Sequence, residues 1–304
     1  MSFATEVKNE LLNIENDPLC EFAQSYAMLL FGRAFSPSEL SILTENERAA
    51  HAYSDAVKLF SGAVTECEVS AAGNYKICVS DRKLIRIISE RLGHTGECAK
   101  RRINFAHLTD DKTFAAFLRG AFIASGTVTD PEKEYHLEFS VPTKGLSEDL
   151  VKLFDEFEPK PKITVRGGAY IVYFKNSSEI EDVLSIMGAT ESSMSVMGTK
   201  MIKDVRNTVN RKVNFENANL KRTIAASSKQ YEAIELIRKE MGFDKLPEQL
   251  RQIAQLRCSD RELSNSEIAS ILPGELTVSG VNHRFRRLIA IAEDIKDKKS
   301  KEEH

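Results

Sequence analysis

The feature that most constrains the fold is an internal repeat. Val57-Lys58-Leu59-Phe60 returns as Val151-Lys152-Leu153-Phe154, 94 residues later. Tyr75-Lys76-Ile77-Cys78-Val79 parallels Tyr170-Ile171-Val172-Tyr173-Phe174 at an offset of 95. Each of those runs follows a glycine turn, Ala72-Gly73-Asn74 and then Gly167-Gly168-Ala169. Ile85, Ile88, Leu92 and Gly93 parallel Ile180, Val183, Met187 and Gly188, again 95 residues on. A near-constant offset across three separate elements marks a duplicated unit, so the first two-thirds of the chain must fold as two similar halves, about 1–95 and 110–190.

Each half reads as helix, hairpin, helix, hairpin, helix. In the second half, the apolar spacing predicts a helix over 112–124 and a hairpin from Val128 to Val141, turning at Asp130-Pro131-Glu132-Lys133. A helix over 144–157 carries Leu146, Leu150, Leu153 and Phe157 on one face. The hairpin Lys162 to Lys175 turns at Gly167-Gly168, and the helix from Ser177 stops at Gly188. The first half matches, with a stunted first hairpin near Phe35 to Thr44. The expected fold class is α+β: a duplicated αββαββ pseudo-two-fold domain with one continuous sheet surface, followed by an all-α domain.

Composition bounds the rest. The 304 residues suit two domains or three, and 42% hydrophobic with 29% charged residues is ordinary for a globular chain. No run of 18 apolar residues occurs, which argues against a membrane partner. Met1 to Glu15 reads as an amphipathic helix with Phe3, Val7, Leu11 and Ile14 on one stripe, not as a signal peptide. The five cysteines (Cys20, Cys67, Cys78, Cys98, Cys258) form no C-x-x-C pair, so neither a zinc site nor a disulfide framework is expected, and a reducing cytoplasm is. No glycine-rich phosphate loop supports a nucleotide cofactor, and no cofactor is expected.

Leu118-Arg119-Gly120-Ala121-Phe122-Ile123-Ala124-Ser125-Gly126 resembles the nine-residue helix of LAGLIDADG homing endonucleases. That resemblance implies two such helices packed at the pseudo-two-fold axis, each with an acidic eighth residue that binds a divalent metal. At an offset of 92 the first copy is Tyr26 to Ala34. The eighth positions are Arg33 and Ser125. Metal-assisted phosphodiester hydrolysis needs carboxylates to hold its cations. Catalysis and metal binding are therefore not expected; Asp130, in the turn, is the nearest downstream acid.

The whole chain is more closely similar to the WhiA family of bacterial regulators, a degenerate LAGLIDADG scaffold joined to a helix-turn-helix. The matching stretches are Leu118 to Gly126, Tyr135 to Glu138, Lys203 to Arg211, Asn214 to Leu220 and Val278 to Arg284. The resemblance implies transcription control linked to cell division, chromosome segregation or sporulation.

The residues themselves point to DNA in two places. Net charge is -3, but Thr199 to Lys229 carries eight Lys/Arg against only Asp204 and Glu216. Local basic patches, rather than the global sum, make an electrostatic footprint for phosphate. This segment is expected to be helical over 199–237 with one break, and Lys203, Arg206, Asn210, Arg211 and Lys212 are candidate contacts. Asn207, Asn210, Asn214 and Asn217 share one helical face; a solvated linker helix has the same pattern. Further on, Pro247-Glu248 opens a helix with Leu250, Ile253, Ala254 and Leu256 on its apolar face. Ser264 with Glu267 reads as a capping box for the helix Asn265 to Leu272. After Pro273-Gly274, Thr277 or Ser279 caps a longer helix through about Ile295, with Val281, Phe285, Leu288, Ile289 and Ala292 buried. A short helix, a turn and a longer helix exposing Asn282, His283, Arg286 and Arg287 near its start follow helix-turn-helix logic. Arginine can bridge guanine O6 and N7, and asparagine adenine N6 and N7. The candidate DNA-contacting residues here are Ser264, Asn265, Thr277, Ser279, Asn282, His283, Arg284, Arg286 and Arg287. A three-helix protein-binding module shares this outline.

The expected division is 1–195 for the endonuclease-like domain, 196–235 for a basic helical linker, 236–296 for the helix-turn-helix domain and 297–304 for a frayed charged tail. The expected function is non-catalytic regulation through double-stranded promoter DNA, in the cytoplasm on the nucleoid. Two alternatives stand beside it: an active nuclease with other metal ligands, and a protein-interaction scaffold, for example for a sigma factor.

Overall fold

The computed structural model describes residues 2–94, 101–155, 157–274 and 276–302, and the chain separates into two compact units, Met1–Asp204 and Val205–His304. The first unit opens with α1 (Phe3–Leu11). Its first half is α2 (Pro18–Leu30), β1 (Ala34–Ser36), β2 (Glu39–Thr44), α3 (Glu47–Ser61), β3 (Cys67–Val69), β4 (Tyr75–Val79) and α4 (Arg82–Arg91). The second half repeats that order with α5 (Asp111–Ser125), β5 (Gly126–Val128), β6 (Leu137–Val141), α6 (Lys144–Leu153), β7 (Lys162–Arg166), β8 (Ala169–Phe174) and α7 (Ser177–Met187). The strands form two antiparallel sheets of matching order, β1-β2-β4-β3 and β5-β6-β8-β7. The duplication extends to register. Tyr75 pairs with Thr44 and Val69, and its counterpart Tyr170 pairs with Val141 and Val165.

Local chemistry sets these boundaries. Asp17 accepts the N–H groups of Leu19 and Cys20 ahead of Pro18 at the start of α2. Asp110 and Thr113 make a reciprocal capping box on α5. The repeated glycines that end α4 and α7, Gly93 and Gly188, both have positive φ (75° and 90°), which other residues rarely adopt. In the β5-β6 hairpin Lys133 N–H donates to Asp130 O, closing the expected turn. The first hairpin turns on only Pro37 and Ser38, between Ser36 paired to Glu39 and the rest of the ladder.

The central packing is α2 against α5, and Gly120 allows it. A Cβ at Gly120 would lie 2.1 Å from Gln24 O and 3.0 Å from Ala27 Cβ. The two helices share a core with α1, α3, α6 and α7 that includes Tyr26, Leu30, Phe117, Phe122, Phe139 and Val183.

Three expectations are corrected. The sheet surface is not continuous: β1 and β5 are three-residue edge strands, each bonded on one side only. The basic segment has no break; α8 runs unbroken over Thr190–Glu240, since its asparagines cost a little helix propensity each and no proline interrupts it. The tail, expected to fray from 297, is helical as far as Glu302 in α11 (Val278–Glu302), with Lys299 Nζ 2.7 Å from Glu240. Cys98 and residues 303–304 of that tail lie outside the described residues.

The second unit packs the end of α8 with α9 (Glu248–Ser259), α10 (Asn265–Ile271) and α11. Its core joins Ala233, Ile234 and Ile237 to Leu250, Ile253, Ile268, Val281, Phe285, Leu288 and Ala292. Among the described residues, no helix is long and apolar enough to cross a membrane.

Candidate nucleic-acid interface

The start of α11 is built for exposure on one side. Val281, Phe285, Leu288 and Ala292 are buried at helical spacing. Ser279, His283, Arg286 and Arg287 are exposed on the opposite side, flanked by half-buried Asn282 and Arg284. No acidic residue lies in the first turn of α11. The positive end of the helix dipole and three arginines therefore act in the same direction. Thr277 Oγ1 accepts the Gly280 N–H at 3.2 Å, so of the two expected caps it is Thr277 that closes the helix start. Ser279 lies inside the helix with its side chain in solvent.

The shorter helix is held by the expected capping box. Ser264 Oγ accepts the Glu267 N–H, and the Ser264 N–H donates to Glu267 Oε2 at 2.7 Å. That backbone N–H holds the Glu267 carboxyl below the usual carboxylate range. Ser264 Oγ is the acceptor of the cap, and its O–H remains a donor.

Asn265 and Asn282 are linked to each other, with Asn265 Nδ2 donating to Asn282 Oδ1 at 2.7 Å. Behind them sits Arg257, only 2% exposed. Its guanidinium donates to Leu263 O at 2.6 Å, Arg261 O at 3.2 Å and Asn265 Oδ1 at 2.9 Å, and lies 5.1 Å from the Phe285 ring centre. Burial pushes the Arg257 pKa down from its ordinary value. The chain Arg257–Asn265–Asn282 ties the loop before α10 to the start of α11, fixing the angle at which that helix is presented. Sequence reasoning missed Arg257. The signal was its position, one helical turn beyond Ile253 and Ala254 on the apolar face of α9.

In the basic segment, Arg206, Asn210, Arg211 and Lys212 are exposed on α8. Lys203 differs: its Nζ donates to Pro131 O at 2.7 Å and lies 4.6 Å from the Tyr135 ring centre. Its ammonium is engaged within the first unit.

At the foot of the paired helices, Arg33 and Ser125 occupy equivalent places, each one residue before an edge strand. Ser125 Oγ donates to Ala121 O at 2.9 Å. Arg101 closes the end of α2 by donating to the carbonyls of Leu30 and Gly32. Lys8 from α1 lines the same cleft as Arg33 and Ser125. Burial, partly opposed by Glu45, lowers the Lys8 pKa from 10.5 to about 8. Two cations and an internally bonded hydroxyl do not fit a divalent metal, which needs anionic oxygen donors. Asp130 spends its carboxylate on the Glu132 N–H within its own turn. Among the described residues, no group of three or more His, Cys, Asp or Glu side chains gathers at metal-binding distance.

Comparison with known proteins matches two regions of the chain to family domains. Residues 114–206 match the WhiA LAGLIDADG-like domain, and residues 209–292 match the WhiA C-terminal HTH domain. A relative from Staphylococcus aureus (strain JH9), named "Probable cell division protein WhiA", is 34% identical over 308 residues, covering 98% of each chain. The crystal structure of full-length WhiA from Thermatoga maritima is 26% identical, covers 97% of this chain and 99% of its own, and superposes with a TM-score of 0.59.

Proposed function

This chain belongs to the WhiA family, and from that premise we propose that it is a non-catalytic transcription regulator that reads double-stranded promoter DNA through α11. The observation that carries the reading is the exposed face of α11: Ser279, His283, Arg286 and Arg287, at the acid-free start of a helix held at a fixed angle by its neighbours. In a major groove, that face sets arginines and a histidine against base edges and phosphates. Asn282 and Arg284 flank it. Arg206, Arg211 and Lys212 add phosphate contacts from α8, with Asn210 beside them. Asn265 and Lys203 act indirectly, since each donates within its own unit; Ser264 and Thr277 accept cap N–H groups and donate their O–H to phosphate. The name carried by the S. aureus relative supports a role in cell division, and action on the nucleoid of the cytoplasm follows from the proposed ligand.

The test is protection of promoter fragments by the full chain against excess nonspecific duplex. Wild type retains a preferred site, and Arg286→Ala loses about 1–3 kcal/mol of preference for it. No DNA is cut at any magnesium concentration. Equal retention of all sequences by wild type, or magnesium-dependent cleavage, contradicts the reading.

A second reading, a protein partner such as a sigma factor on the sheet surface, is favoured by one observation. On the β2-β4-β3 face, Lys76 is paired to Glu68 at 3.3 Å and exposed Leu43 pairs across from it, with Glu39 further along β2. That mixed face suits protein better than a phosphate backbone.

A further inference from the structure

We propose that the cleft at the foot of α2 and α5 is a binding site for a phosphate-type oxyanion, held by Lys8 and Arg33. The cleft has a volume of about 330 Å³ and is formed from α1, the ends of both central helices and the adjoining strands. This is at the small end of the roughly 300–1000 Å³ typical of ligand clefts. Lys8 and Arg33 line it from different elements, together with the hydroxyl-bearing Ser125 and Ser140. No aspartate or glutamate lines it among the described residues.

Its charge is what calls for an occupant. A lysine ammonium is seldom withdrawn from water without a paired anion, because the lost hydration must be offset; Arg33 adds a second, exposed cation. Lys8 is half-buried, and Glu45, the acid that acts on it, is not among the residues lining the cleft. Apolar walls from Phe31, Ile42 and Leu43 lower the local dielectric and concentrate the positive potential inside the concavity. An oxyanion there accepts from the planar fork of Arg33 and from the Lys8 ammonium together, with charge-assisted hydrogen bonds of the stronger class. The two serine hydroxyls can donate to remaining oxygens; Ser125 does so by rotating away from the Ala121 carbonyl. A metal cation, by contrast, meets only repulsion. The site is independent of the α11 face and of the function proposed for it.

The experiment is thermal unfolding of the full chain in inorganic phosphate against chloride of equal ionic strength, following the transition of the first unit. A ligand that binds only the folded state raises that transition in proportion to its occupancy. Wild type is stabilised by phosphate. Arg33→Ser and Lys8→Gln weaken phosphate binding by about tenfold or more, equivalent to about 1.4 kcal/mol, while Lys8→Arg retains it. Arg33 is exposed and Arg33→Ser only repeats the residue found at the equivalent position 125, so that variant folds. A second arm replaces phosphate with duplex DNA in an Arg286→Ala plus Arg287→Ala background, which removes the α11 contribution. Stabilisation that depends on Arg33 in both arms identifies a phosphate of the DNA backbone; stabilisation in the first arm alone identifies a free phosphate compound. If Arg33→Ser and Lys8→Gln respond to phosphate as wild type does, or if wild type does not respond to either probe, the proposal is overturned.

Discussion

Replacing Gly120 with alanine tests the packing on which the first unit depends. In an isolated helix this change is favourable by about 1 kcal/mol, because glycine loses more backbone entropy on folding. Here the new Cβ would stand 2.1 Å from Gln24 O, 2.9 Å from Gln24 C and 3.0 Å from Ala27 Cβ. Two of those three atoms are backbone and cannot rotate aside. α2 and α5 must separate along their whole contact, and the core residues Tyr26, Leu30, Phe117 and Phe122 separate with them. Overpacking costs about 1–3 kcal/mol, and a backbone obstacle puts this case at the upper end or beyond. The expected net loss is about 2–3 kcal/mol. Gly198 on α8, in the same unit, is the control: nothing lies within 4 Å of its built Cβ, so Gly198→Ala gains about 0.5–1 kcal/mol. Scanning calorimetry of the full chain reads both. At about 2–4 °C per kcal/mol for a unit of this size, Gly120→Ala lowers the first unit's Tm by about 5–10 °C and Gly198→Ala raises it by about 2 °C. A Gly120→Ala protein that melts at or above wild type would refute the close approach of the helices.

Three further outcomes follow from named contacts. Arg257→Met keeps the bulk of the side chain but strands the Leu263 and Arg261 carbonyls and Asn265 Oδ1. Denaturant unfolding of the second unit should show a loss of about 2–4 kcal/mol, and Arg257→Lys should not restore it, since one ammonium cannot reproduce the fork. The Glu267 carboxyl is held below its ordinary 4.5, so its cap is intact above that value and is lost as pH falls through the lowered one; acid unfolding of Glu267→Gln should lack that component, and identical acid profiles would remove the capping box from the account. Lys8 runs the other way. The unfolded chain keeps its proton to about 10.5 and the folded chain only to about 8, so across that window the unfolded state binds more protons and stability rises with pH. In phosphate-free buffer, Lys8→Met should flatten that rise in the first unit, and an unchanged slope would place the Lys8 ammonium in water.

Periodic features were legible in the sequence; features that depend on burying charge were not. The 94–95 residue repeat carried the order of elements and the two glycine stops, because duplication copies backbone requirements along with residues; the pairing of the central helices came from the resemblance to the LAGLIDADG helix. The Ser264–Glu267 box and the Asp130–Lys133 turn were readable because each closes on itself within a few residues. Sheet continuity was not readable, since whether β1 and β5 meet depends on helices far away in sequence. The break expected in α8 is absent because the summed propensity cost of its asparagines is small beside a 51-residue helix with no proline. Lys8 and Arg257 were missed as functional groups for one reason. Hydropathy assigns lysine and arginine to solvent, whereas Lys8 adjoins buried Val7 and Arg257 continues the buried stripe of α9. Asn265 and Asn282 were read as candidate DNA contacts; that they also bond to each other across 17 residues was not legible.

The central claim is that α11 meets DNA. The most direct measurement is the salt dependence of promoter binding by wild type and by Arg286→Ala plus Arg287→Ala. Each phosphate contact contributes about -0.9 to the slope of log affinity against log salt. Wild type should show a steep slope, and the double variant a slope shallower by about 0.9 for each arginine that reached a phosphate, with weakened preference for the promoter site. Superimposable affinities and slopes for the two proteins would contradict that claim and move the DNA contact away from α11.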